Sequence, residues 1–168
     1  MAERETLVDN YRLQYEGLFS VIDLYTMIDE YFEEKGYDKR EKKNIERVTP
    51  EGKFIEIELE PYKKITDYAK STIKVRLQMK DIKEVVVEKD GVKVKLNQGS
   101  IHLVFSCFLE TDYEGKWETK PMFYFLRVLY DKFIYSSYTS QYKGEVVNDF
   151  NLLISQIRSF LNLYRTSK

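Results

Sequence analysis

The chain has 168 residues, 33% of them charged and 43% hydrophobic, with a formal net charge of -1. That length points to a single domain, 1–168, able to bury a core without a disulfide or metal staple. Near-neutrality argues against nucleic acid as a partner, since phosphate neutralisation supplies most of that affinity. Cys107 is the lone cysteine, which excludes an intrachain disulfide.

The opening MAERETLVDN mixes both charge signs and has no apolar h-region, so no signal peptide is expected. Uncharged stretches fall far short of the ~20 residues that a membrane span requires. A cytoplasmic location and no membrane span are therefore the expectations.

From Leu7 the apolar residues Val8, Tyr11, Tyr15, Leu18, Phe19, Ile22, Tyr25, Ile28 and Phe32 recur at three and four. The spacing predicts an N-terminal helix ending at Gly36, a residue suited to the C′ position. Gly17 falls inside the pattern and divides a short leader from a main helix starting near Leu18. Next, TPEG is turn chemistry joining a charged strand, Arg40–Val48, to a cleaner one, Lys53–Glu60. In the latter Ile55, Ile57 and Leu59 alternate with Glu56, Glu58 and Glu60, the period of a half-buried strand.

A third strand alternates Ile73, Val75, Leu77 and Met79 with Lys74, Arg76, Gln78 and Lys80. Asp90-Gly91 then reads as a two-residue hairpin turn. It pairs Lys89 with Val92, Val87 with Val94 and Val85 with Leu96 on one face, expected to continue the dry face of Ile73 and Val75, and Glu88 with Lys93 on the other. NQGS reads as a further turn into a strand, Ile101–Tyr113, with Ile101, Leu103, Phe105, Cys107 and Leu109 on the dry face. After Pro121, Met122, Phe125, Leu126, Leu129, Tyr130, Phe133 and Ile134 recur at helical spacing, and this aromatic stripe is assigned to the core. A last helix opens after Gly144, its stripe running Val146, Val147, Phe150, Leu153, Ile154, Ile157, Leu161 and Tyr164.

A run of strands between terminal helices predicts an α+β two-layer sandwich. It comprises an N-terminal helix, a mainly antiparallel sheet of about six strands, and two C-terminal helices packed on one sheet face. No cofactor or metal is implied. His102 and Cys107 sit five residues apart on one strand, so their side chains point to opposite faces and form no dyad. Glu56, Glu58 and Glu60 face Lys74, Arg76 and Lys80 if their strands are neighbours, which makes a charge ladder rather than a cation site. The run DKREKKNIER reads as a solvated face, with a phosphate-binding edge as the sharper alternative.

Large apolar residues at outward parity, Phe54, Val86, Val104 and Phe108, form the candidate interface. The resulting expectation is a non-catalytic protein-interaction or assembly module with a protein partner or a second copy. The alternatives are a carrier of a small apolar ligand held between helices and sheet, and an enzyme using carboxylate, Lys and Tyr groups.

Overall fold

The computed structural model describes residues 3–115, 121–130, 132–133 and 136–165. Its elements are β1 (Glu3–Phe19), α1 (Val21–Glu34), β2 (Glu41–Thr49), β3 (Gly52–Leu59), β4 (Tyr62–Lys64), β5 (Ala69–Lys89), β6 (Val92–Thr111), α2 (Pro121–Tyr130) and α3 (Ser136–Arg165). Asp90 and Gly91 take φ of 51° and 77°, the left-handed pair that a tight hairpin turn requires. From that turn β5 and β6 run back antiparallel in the expected register, Val87 opposite Val94 and Glu88 opposite Lys93, and stay paired to Ala69 and Thr111. NQGS is therefore not a turn: it lies within β6, and the four strand pieces expected between Ile73 and Tyr113 are two long strands.

The six-stranded antiparallel sheet has the order β1-β6-β5-β3-β2, with β4 beside the start of β5. β1 replaces the expected helical leader. Its pairing with β6 shifts between Thr6 and Val8 and again between Val8 and Tyr11, so a bulged strand reproduces helical spacing in the sequence. The main helix is as expected. Ser20 caps α1 by accepting a 3.2 Å hydrogen bond from the Asp23 N–H. Beyond its end Gly36, at φ 76°, donates to the Glu33 carbonyl at 3.0 Å and Tyr37 to the Phe32 carbonyl at 2.8 Å. The Tyr37 and Phe32 rings meet 5.5 Å apart, completing a Schellman closure.

One sheet face is dry. Ile73, Val75, Leu77 and Met79 of β5 and Ile101, Leu103, Phe105 and Cys107 of β6 lie buried against α1 and α3. Phe150 of α3 reaches Phe105 at 5.9 Å and Tyr11 of β1 at 5.3 Å, both edge-on. The buried stripe of α3 is Val146, Phe150, Leu153, Ile154, Ile157 and Leu161, although the helix starts at Ser136, before Gly144. No helix among the described residues is long and apolar enough to cross a membrane.

Two further expectations are corrected. Of the two C-terminal helices, α3 packs on the sheet as expected, whereas the described apolar side chains of α2 face outward. Ile134, assigned to the same stripe, lies outside the described residues. In addition, a β-bulge places Asp81 and Ile82 opposite Gly99, between the pairs Lys80–Ser100 and Lys83–Gln98. β6 has no extra residue there, so Val94 and Leu96 keep the alternation of Ser100 and His102. The valine face of the hairpin, Val87 included, thus continues the outer face and not the dry one.

Gly99 is what permits this bulge. A Cβ there would stand 2.5 Å from Ile82 Cδ1 and 2.7 Å from the Lys80 carbonyl oxygen. Gly99→Ala is expected to destabilise the fold by about 1–3 kcal/mol, read as a lower urea midpoint at unchanged slope. A midpoint equal to that of the parent protein would refute the close approach.

Candidate docking surface

The outer sheet face is built on a carboxylate. Glu56 of β3 is only 6% exposed although it lies on the face without helices. Lys43 donates to its Oε2 at 2.7 Å, and Arg76 donates twice to Oε1, at 2.8 and 3.1 Å, with Gln78 adding a bond at 3.3 Å. Hydrogen bonds from Lys43 first, and then from Arg76, pull its pKa down to about 2. Glu58 meets Lys74 at 2.8 Å and Glu60 the same ammonium at 3.7 Å. The charge ladder between these strands therefore forms through Lys74 and Arg76, and with Lys43 it engages the three carboxylates; Lys80, also expected in it, lies outside it opposite Ser100.

The four apolar candidates do not share one patch. Phe54, Val104 and Phe108 are half-buried on the outer face. Val104 stands between Arg12 and Arg76, and Phe108 between Thr6 and Thr72 with the Arg4 guanidinium 3.7 Å above its ring. That cation–π cover gives Phe108 a partner within the chain. Val86 is exposed, but it pairs with Lys95, which puts it on the opposite side of the hairpin.

His102 and Cys107 fall on opposite faces, as expected from their spacing. Cys107 is fully buried, and burial pushes its thiol up to about 12. A buried polar group that the sequence did not single out is Asp149 on α3, 5% exposed. The Tyr37 hydroxyl donates to its Oδ2 at 3.1 Å, the Tyr31 hydroxyl donates to its carbonyl at 2.6 Å, and the Lys35 ammonium lies 3.8 Å from Oδ1. Burial raises both tyrosine hydroxyls far above their ordinary value, so both remain proton donors. This cluster joins the C-terminal end of α1 to α3.

Charge is out of balance at one end of the sheet. Asp38 bridges to Tyr62, with its N–H 2.8 Å from the Tyr62 carbonyl, and so lays Lys39 and Arg40 beside β4. Lys64 of β4 stands directly opposite Lys70 of β5, a like-charge pair of the kind that destabilises a sheet. Together with Tyr62 and Tyr113 these four cations line an open cleft of about 510 Å³, where Glu114 supplies one carboxylate. Asp29 meets Lys39 at 2.9 Å, and Glu110 meets Lys70 at 2.6 Å while also serving Arg4 at 3.6 Å. Arg40 and Lys64 have no carboxylate partner among the described residues; Lys64 lies 5.8 Å from the centre of the Tyr113 ring. DKREKKNIER gave the hint of a basic edge, but only the pairing of β4 with β5 brings Lys64 and Lys70 to it.

β6 ends beside this cleft, and the chain continues towards α2. Met122 is 73% and Phe125 65% exposed, and Leu126, Val128, Leu129 and Tyr130 are exposed with them. At 100° per residue these six span about 200° of the helix circumference, twice the roughly 100° stripe of a core-facing helix. Val128 was the available signal, because it lies off the stripe that the spacing traced.

No protein family, curated protein or solved structure matches this chain.

Because the folded pKa of Glu56 is depressed from 4.5 to about 2, its stabilising effect is full above pH 4.5 and fades as pH falls towards 2. Glu56→Gln is expected to cost about 1–3 kcal/mol at neutral pH. The gap from the parent protein in urea midpoint should narrow steadily across that acid window. A gap independent of pH would remove the charged ladder from the account.

Proposed function

We propose that this chain is a non-catalytic docking module, a single α+β unit that works through α2. The observation that carries the reading is the wide apolar arc of that helix, turned outward. Fully burying one such side chain is worth about 1.5–3 kcal/mol, and these six are between 39% and 73% exposed, so the fold leaves roughly 5–9 kcal/mol unused. That is comparable with the whole stability of a domain, about 5–15 kcal/mol. Association costs consume part of it, but a surplus of this size favours a bound state for α2. The outer-face candidates Phe54, Val104 and Phe108 are second in rank, because Phe108 is already covered by Arg4.

The carrier reading is less favoured, since Phe105, Phe150, Leu153 and Ile157 fill the space between α3 and the sheet. An enzyme using carboxylate and tyrosine groups is likewise less favoured: Asp149, Tyr31 and Tyr37 spend their polar atoms on each other. A cytoplasmic location accords with a chain whose single cysteine, Cys107, leaves it without an intrachain disulfide.

The test is the double variant Phe125→Ser with Leu129→Ser. On a docking surface it changes stability by no more than about 0.5 kcal/mol, while retention on a phenyl matrix and the fluorescence of an apolar-surface dye fall sharply. A large drop in melting temperature with unchanged dye binding would put α2 in the core and end the proposal.

A further inference from the structure

Resting on the docking role of α2, we propose that its partner is an anionic lipid surface, with α2 lying in the bilayer interface and the adjoining basic cleft engaging the headgroups. The first argument is shape. A helix apolar over about 200° asks for apolar surroundings on most of its girth, which the acyl boundary provides and a flat protein face does not. Ten residues rise about 15 Å, half the thickness of a hydrocarbon core, so α2 rests at the interface and does not span it.

The second argument is charge. The cleft beside the start of the α2 connection is lined by Lys39, Arg40, Lys64 and Lys70 against the single carboxylate of Glu114, in a chain of net charge -1. Tyr62 and Tyr113 accompany them, a residue type that settles at headgroup level. The third argument is position. α2 is tethered between the end of β6 and the start of α3. Tyr142 of α3 packs by Ala69 and Leu109, and Lys143 meets Glu5 at 2.8 Å, so both tethers lie at the sheet end that bears Lys64, Lys70 and Tyr113. The two cations without carboxylate partners among the described residues, Arg40 and Lys64, therefore sit at the sheet end to which the apolar helix is tethered. An array of phosphodiesters supplies the anions that Arg40 and Lys64 lack, and each such cation adds to the attraction of an anionic leaflet.

The experiment is co-sedimentation of the full chain with vesicles of phosphatidylcholine alone or mixed with phosphatidylglycerol, at low and high salt. The expected result is partition onto the mixed vesicles, weakened by salt and by omission of phosphatidylglycerol. Phe125→Ser with Leu129→Ser should abolish it. Arg40→Gln with Lys64→Gln, which leaves α2 untouched, should lower the partition constant by about 30-fold. Equal binding to both vesicle types, or no binding to either, overturns the lipid proposal. If binding fails but sedimentation equilibrium finds a dimer that the serine variant dissolves, a second copy is the occupant and the docking role survives. If the serine variant has instead lost its melting temperature, the docking role falls as well.

Discussion

The pairing of β5 with β6 is the interaction on which the other elements depend. It is the longest ladder among the described residues; β1 attaches to β6, β3 and β4 attach to β5, and β2 is carried on β3. The dry face that α1 and α3 cover is contributed largely by these two strands. The ladder also outruns its neighbours. β1 stops at Phe19 opposite Asn97, and β3 pairs no further than Lys53 opposite Ile82. Beyond them β5 and β6 project as a two-stranded arm whose valine face has changed sides at the bulge opposite Gly99.

How far the sequence disclosed this can be judged element by element. The hairpin at Asp90-Gly91 and its cross-strand pairs were readable because turn chemistry fixes register locally. The ladder of Glu56 and Glu58 with Lys74 and Arg76 was readable because strict alternation assigns each charge a face. Bulges broke the reading elsewhere. Two in β1 turned Leu7, Val8, Tyr11 and Tyr15 into a counterfeit helical period, and the one at Asp81–Ile82 moved Val87 to the other side of the ribbon. An added residue leaves no compositional trace when its neighbours remain polar. For α2 the period was right and its destination was not. Spacing says that a helix has an apolar side; it does not say whether the chain returns that side to its own sheet.

The outer face and the cleft end of the sheet differ in how charge is settled. Over most of that face cations and carboxylates alternate across strands, and the strong bonds to Glu56 leave little field beyond the surface. At the β4 end the alternation fails, Lys64 faces Lys70, and Glu110 is divided between two cations. It is also the end at which the polypeptide leaves the sheet for α2. The near-neutrality of the whole chain thus conceals a basic end, which a total charge read from composition averages away.

Asp149 adds a mechanical consequence. Its partners Tyr31, Lys35 and Tyr37 all come from one short stretch around the Schellman closure, while the rest of α3 rests on interchangeable aliphatic surface. Apolar packing alone would tolerate a small roll or slide of a rod thirty residues long. An aspartate whose carboxylate is held by the Tyr37 phenol and the Lys35 ammonium, and whose carbonyl is held by the Tyr31 phenol, does not, since any such displacement strands these groups in a dry interior. The polar knot therefore acts as a keyway that sets the rotational phase of α3, and through it the bearing from which α2 is presented.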